Sequence, residues 1–233
     1  MICEWSRTGE YHRETSGENQ DCTCSMQHDG NTVITLADGV STCPMAKEGA
    51  RTAADALARL MAEKGSLLTG LESERIAGIA AAQVLFELKR KAGREGRAVE
   101  DYSSTIAGVL FSRENGKLLC YSLGDSIIIA VSGGRCRILA KPCDSSDGCC
   151  VTTTKESEKE AVVRVIDSKG IDSVVICSDG AWRMMFDKNR IRNEVKDILT
   201  AGDYELLGDH LSACGGYDDS SFIAMDIKDG RAA

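Results

Sequence analysis

Aspartates at the ends of apolar runs are the residues best suited to chemistry. Residues 33–37 are followed by Asp38 and Gly39, residues 174–177 lead into Asp179 and Gly180, and Asp218 opens the run that ends at Met225. An apolar run that stops at an Asp-Gly step predicts a buried strand that carries the acid to a sheet edge, with glycine free to turn. Burying a carboxylate is costly unless a cation accompanies it. The pattern therefore predicts that Asp38, Asp179 and Asp218 share one cation site.

A hairpin is predicted to position the first of these acids. Asp29-Gly30 is a tight-turn signal, so residues 22–28 should pair antiparallel with residues 33–37. Asp21 would then lie beside Asp38, at the same end of the hairpin. Before this hairpin we expect a strand over residues 2–11 and a loop over residues 12–18.

The remaining periodicities predict two helices near the start, two near the end and strands between them. A helix is expected from Ala46, and the Thr69/Glu72 pair has the form of a capping box that begins a second helix. Residues 143–160 are polar and predict an exposed loop. Further helices are predicted at 189–199 and 204–214, and further strands at 105–111, 117–123, 127–131, 135–140, 162–166, 173–177 and 221–227.

The predicted fold class is α+β. Residues 173–177 are apolar on both faces, as expected of a central strand covered by a second sheet on one side and by helices on the other. We therefore predict a four-layer α-β-β-α sandwich, with two mostly antiparallel sheets flanked by helices, in a single domain over residues 1–233.

Composition excludes several functions. Acidic residues outnumber basic ones by 36 to 28, for a net charge of -8, and no basic block favours nucleic acid. We find no apolar leader and no run long enough to span a membrane, so a cytoplasmic protein with reduced thiols is predicted. Cys22 and Cys24, like the group Cys143, Cys149 and Cys150, lack the paired spacing of zinc ligands.

Six short motifs occur in a family-specific order. They are Asn19-Gln20-Asp21, Ala37-Asp38-Gly39, Ser104-Thr105, Gly124-Asp125-Ser126, Ser178-Asp179-Gly180 and Asp218-Asp219-Ser220-Ser221. With them the chain resembles the metal-dependent type 2C Ser/Thr protein phosphatases, especially compact bacterial members, from about Ser16 to Ile227.

The resemblance implies a metal-dependent phosphatase acting on phosphoserine and phosphothreonine, by direct attack of a hydroxide that bridges two Mn or Mg ions. Asp38 would bridge the ions with the Gly39 carbonyl as a further ligand, Asp179 and Asp218 would complete the ligand set, and Asp21 would act through bound water. Carboxylates without histidine also favour Mn or Mg over Zn. The implied partners are phosphorylated proteins and a cognate Ser/Thr kinase.

The chain departs from the family pattern in three places. Ser16 stands where relatives have a phosphate-binding arginine, which leaves His12 and Arg13 as the nearest candidates. Residues 40–42 replace the glycines that usually follow the central Asp-Gly.

The third departure concerns a third metal. Arg183 stands where many relatives carry an acid that holds this metal with the aspartate of Gly-Asp-Ser, here Asp125. We therefore expect Arg183 to pair with Asp125 as a fixed positive charge, although Asp125 could instead only hold its own turn. Asp219 is expected to be a solvated or strand-start residue.

Two other interpretations stay open. Residues 177–183 fit the C-x-x-G-x-x-R loop of Cys-dependent phosphatases, with Cys177 as nucleophile and Arg183 as phosphate ligand. Against it, the charge of Asp179 would raise the thiol pKa when catalysis needs it lowered. The other alternative is a catalytically silent regulator of the same fold that binds phosphoproteins.

Overall fold

Two five-stranded antiparallel sheets form the centre of the structure, a computed structural model that describes residues 1–15, 17–142 and 150–227. The first sheet has the order β2 (Asp21–His28), β3 (Asn31–Asp38), β4 (Ile106–Ser112), β5 (Lys117–Leu123) and β8 (Val162–Asp167). The second has the order β1 (Ile2–Arg7), β12 (Ser220–Asp226), β9 (Ser173–Cys177), β6 (Ile127–Ser132) and β7 (Arg135–Ala140). Side chains such as Ile34, Val109 and Ile176 form one buried cluster between the sheets.

Helices cover both outer faces. The first sheet is covered by α2 (Ala46–Leu68) and α3 (Ser73–Glu95), and the second by α4 (Asp179–Met185), α5 (Asn193–Ala201) and α6 (Tyr204–Cys214). The apolar side chains of α2 pack in the core beneath it, with Leu57 fully inaccessible. Burying one such side chain contributes about 1.5–3 kcal/mol. The predicted α+β sandwich of two antiparallel sheets flanked by helices is confirmed.

The register of the first hairpin determines where the site lies. β2 pairs with β3 so that Asp21 stands directly opposite Asp38. In the second sheet β9 is the central strand, as its two apolar faces predicted, and β12 lies beside it. The ends of β3 and β9 therefore deliver Asp38 and Asp179 from different sheets.

Several local predictions were wrong. Residues 10–15 form a short helix, α1 (Glu10–Thr15), instead of the end of a strand and a loop. The hydroxyl of Thr69 donates to the carbonyl oxygens of Gly65 and Ser66, so Thr69 closes α2 and caps no second helix. A two-stranded ribbon, β10 (Phe186–Asp187) and β11 (Arg190–Ile191), delays the start of α5 to Asn193.

The predicted loop at 143–160 is only partly described, because residues 143–149 lie outside the described residues. Its second half is attached to the core. Thr152 is buried, and its N–H donates to the carbonyl oxygen of Ser104 at 2.9 Å. This half is therefore part of the folded structure near the Ser104-Thr105 motif.

Within the described part of the chain, no helix has both the length and the apolar character that crossing a membrane requires.

Candidate active site

A pocket of about 390 Å³ opens where strand ends of the two sheets meet. Four of the aspartates singled out in the sequence line it: Asp38, Asp125, Asp179 and Asp218. The rest of its wall comes from Gly39, Val40, Ser41, Cys43, Ser103, Thr105 and Val151. The structure thus brings together acids from four separate segments.

Backbone contacts fix the end of β3 that carries Asp38. The N–H of Thr105 donates to the Asp38 carbonyl oxygen at 2.8 Å, and the Asp38 N–H donates to the Thr105 hydroxyl at 3.2 Å. A Cβ atom on Gly39 would lie 2.7 Å from the carbonyl carbon of Ala46. Glycine is therefore required where β3 meets the start of α2.

Asp21 is not part of the pocket wall but stands opposite Asp38 on β2. It is 8% exposed, and its Oδ2 accepts a hydrogen bond from the Ser178 hydroxyl at 2.9 Å. Ser178 accepts in turn from the N–H of Ser221, also at 2.9 Å. The other carboxylate oxygen of Asp21 has no hydrogen-bond partner among the described residues.

Burial is the main cause of the raised pKa values of Asp21 and Asp38, and neighbouring carboxylates add to it. Burial raises the pKa of Asp21 to about 7, opposed by the nearby Ser221 and Ser178 hydroxyls and reinforced by the Asp219 and Asp179 charges. The pKa of Asp38 is raised well above its usual range by burial and then by the charges of Asp21, Asp179, Asp125 and Asp218.

The same causes act on Asp125 and Asp179, which also line the pocket. Burial is the main reason why the pKa values of Asp125 and Asp179 are raised. The pocket therefore has a concentrated negative potential that a cation would relieve.

The carboxylates are not arranged as a finished ligand set. Among the described residues, no group of three His, Cys, Asp or Glu side chains already surrounds a common point as metal ligands do. The chemistry of the donors nevertheless fits a hard divalent ion, because they are all carboxylates and Oδ1 of both Asp21 and Asp179 is buried without a partner. The residues therefore fit Mn or Mg in donor type and charge.

A family model described as protein phosphatase 2C matches residues 8–213. The chain belongs to the protein phosphatase 2C family. Solved structures of similar fold include the serine/threonine phosphatase Stp1 from Staphylococcus aureus, with 15% identity, a TM-score of 0.69 and coverage of 97% of this chain and 94% of that one. The Mycobacterium tuberculosis serine/threonine phosphatase PstP has 16% identity, a TM-score of 0.69 and 97% coverage of both chains.

A third similar structure is PppA, described as a key regulatory component of T6SS in Pseudomonas aeruginosa, with 18% identity, a TM-score of 0.65 and 96% coverage of both chains. At these identities the likeness establishes the fold. No curated protein sequence matches the chain.

In this protein phosphatase 2C family member, Arg183 contacts Asp179 and not the predicted Asp125. Its Nη1 lies 2.9 Å from Oδ2 of Asp179, so the expected pairing with Asp125 was wrong. The physical reason is that α4 begins at Asp179, which places the two residues four apart on one helix face. Asp125 feels the guanidinium only as a charge that lowers its pKa, and its backbone carbonyl accepts from the Trp182 indole N–H at 2.8 Å.

The two candidates for phosphate binding lie outside the pocket wall. His12 is 2% exposed, and its Nδ1 lies 2.8 Å from Oδ2 of Asp219. Arg13 is exposed on α1. The phosphate contacts expected of His12 and Arg13 therefore have no support from their positions.

Asp219 is a residue whose importance the sequence analysis missed. It is 2% exposed instead of solvated, and it accepts hydrogen bonds from the backbone N–H groups of Gly9 and Gln20. No local signal identifies it, because both partners lie about two hundred residues away in the sequence.

Cys177 is fully buried on the helix side of β9. Its thiol packs 3.6 Å from the Met185 sulfur, and burial raises its pKa. A nucleophilic cysteine needs an accessible, low-pKa thiol. The environment of Cys177 thus argues against the Cys-dependent mechanism.

Proposed function

We propose that this chain is a metal-dependent phosphoprotein phosphatase that hydrolyses phosphoserine and phosphothreonine. The supporting observation is that Asp38, Asp179 and Asp218, from three distant segments, line one pocket. We assign these three residues as catalytic. Phosphorylated proteins are the proposed substrates, and a cognate Ser/Thr kinase is the proposed opposing enzyme. The single domain and the cytoplasmic location stay predictions.

The proposed cofactors are two Mn or Mg ions. Asp38, Asp179, Asp218 and the Gly39 carbonyl would hold them directly, with Asp21 contributing through water. When bound, such ions neutralise phosphoryl oxygens and acidify a water for in-line attack, so no phosphoenzyme is needed.

The chain's own residues prepare the pocket for this chemistry. Thr105 holds the backbone of Asp38 on both sides, so the central carboxylate projects from a fixed strand end. Ser178 donates to one oxygen of Asp21 and leaves the other one for a ligand. Because the Ser178 hydroxyl also accepts from the Ser221 N–H, the side chain is held in the rotamer that faces Asp21.

A silent phosphoprotein-binding regulator is the second candidate. It is favoured by the ion pair between Arg183 and Asp179, which already neutralises part of the proposed ligand set. Such a module would bind phosphopeptides without turnover.

Hydrolysis of phosphoserine and phosphothreonine peptides, measured with Mn and with chelator, separates the candidates. We expect turnover that requires Mn or Mg, is abolished by chelator and is lost in Asp38→Asn. Asp187→Asn is the matched control, since Asp187 is exposed on β10 and does not line the pocket. Phosphopeptide binding without turnover at any Mn concentration would establish the silent regulator instead.

A further inference from the structure

The carboxylate of Asp219 is held from three sides. Oδ1 accepts from the Gly9 N–H at 2.8 Å, and Oδ2 accepts from the Gln20 N–H at 2.6 Å. His12 covers the third side, with Nδ1 2.8 Å from Oδ2 but out of line for a hydrogen bond. Hydrogen bonds to an ionised acceptor are about twice as strong as neutral ones. Asp219 thus ties Gly9, His12 and Gln20 to the turn that carries Asp218.

The same turn is wedged between two glycines. A Cβ atom on Gly9 would lie 2.2 Å from the carbonyl carbon of Asp218, and one on Gly180 would lie 2.0 Å from the carbonyl oxygen of Asp219. The N–H groups of residues 10 and 11 also donate to the carbonyl oxygens of residues 216 and 217, at 3.1 and 3.0 Å. The turn therefore contacts backbone on both sides with no space for readjustment.

Two proposed metal-site acids depend on these contacts. Asp218 is bonded directly to Asp219 along the chain, and its side chain accepts from the Asp219 N–H at 2.9 Å. Asp21 follows Gln20, whose N–H Asp219 holds, and the Asp21 N–H donates to Asn19 at 2.8 Å. A displacement of Asp219 would therefore move both acids.

We propose that Asp219 is a positioning residue that holds Asp218 and Asp21 in place. Its contacts with Gly9, Gln20 and His12 form a clasp between the two chain segments. This inference rests on the proposed metal-dependent function. Asparagine cannot replace Asp219, because an amide has one acceptor oxygen and its NH₂ group would face one of the two N–H donors. That donor would then be buried without a partner.

The test measures Mn affinity by calorimetry for the unmodified chain, Asp219→Asn and Asp203→Asn. Asp203 is the matched control because it also accepts a backbone N–H, that of Leu206 at 3.0 Å, but at the start of α6. Loss of a group that orients metal ligands typically costs 10–100-fold in affinity. We expect about that loss in Asp219→Asn, with phosphopeptide turnover recovering at saturating Mn, and unchanged affinity in Asp203→Asn.

A folded Asp219→Asn with unchanged Mn affinity would overturn the positioning role. If this variant does not fold, His12→Ala tests the clasp with both backbone bonds retained. Weaker Mn binding in His12→Ala supports the role, and unchanged affinity overturns it.

Absence of Mn binding in the unmodified chain would refute the proposed function separately. Amide exchange in the metal-free protein then decides the inference. Faster exchange at Gly9, Gln20 and residues 215–218 in Asp219→Asn than in Asp203→Asn supports the clasp, and equal rates overturn it.

Discussion

Replacing Asp38 by asparagine is expected to stabilise the metal-free protein at pH 7.5. Asp38 and Asp21 stand directly opposite each other on β3 and β2, and burial and neighbouring charges raise the pKa of both. Like charges in directly opposed positions of a sheet cost up to about 1 kcal/mol. Asparagine has the same shape without the charge, so we expect a gain of about 1 kcal/mol in the free energy of unfolding.

The pH dependence of the metal-free protein follows from the same crowding. Asp21 has a pKa of about 7 in the folded chain against an ordinary value of 3.8, so the folded chain binds more protons between these values. The contribution of Asp21 to stability is then fully present below pH 3.8 and is lost as the pH rises through 7. Integrated over this titration, at about 1.4 kcal/mol for each pKa unit, Asp21 alone gives a loss of about 2 kcal/mol between pH 5 and pH 7.

Urea unfolding in chelator at pH 5 and pH 7.5 measures both effects. We expect the unmodified chain to lose stability across this range, Asp38→Asn to lose less, and the exposed control Asp187→Asn to behave as the unmodified chain. Mn at about 100 times its dissociation constant should stabilise the unmodified chain at pH 7.5 by about 2.7 kcal/mol, with little effect on Asp38→Asn. Stability that rises from pH 5 to pH 7.5 in chelator, or a destabilised Asp38→Asn, would refute the charge-crowding argument.

Four further outcomes are expected. Asp179→Ala should lower phosphopeptide turnover by orders of magnitude with an unchanged circular dichroism spectrum, and near-native turnover would contradict the assignment. Arg183→Met should destabilise the metal-free chain by about 0.5 kcal/mol, the value of a half-exposed i,i+4 pair, and tighten Mn binding about twofold in calorimetry. Lys159→Met, which removes an exposed i,i+3 pair with Glu156, is its control, and weaker Mn binding in Arg183→Met would contradict the competition. Arg183→Asp should add a third, weaker metal to the two expected in the unmodified chain, which three metals in the unmodified chain would exclude. Cys177→Ala should keep Mn-dependent turnover. If instead the unmodified chain turned over in chelator and Cys177→Ala did not, the thiolate mechanism would be established. Substitution is preferable to alkylation because Cys43 lines the pocket.

The juxtaposition of Asp21 and Asp38 was predictable because the turn at Asp29-Gly30 sets the register of the hairpin. Asp29 and Gly30 both have the positive φ that such a turn needs. The partner of Arg183 was not predictable, since it depends on a helix that begins at Asp179, and seven residues give only a weak periodic signal. Asp219 was missed because its burial depends on donors at Gly9 and Gln20, which no local pattern connects to it.

The two Asp-Gly steps also work differently from the expectation that glycine serves to turn the chain. Neither Gly39 nor Gly180 has a positive φ, so another residue could adopt their backbone conformation. A side chain would not fit at either position, since a Cβ atom would lie 2.7 Å from Ala46 at Gly39 and 2.0 Å from Asp219 at Gly180. Glycine therefore brings a second element against the strand end: the start of α2 beside Asp38, and the clasped turn beside Asp179. Each Asp-Gly step places one acid and seats the neighbouring segment against it, and the second of these segments carries Asp218.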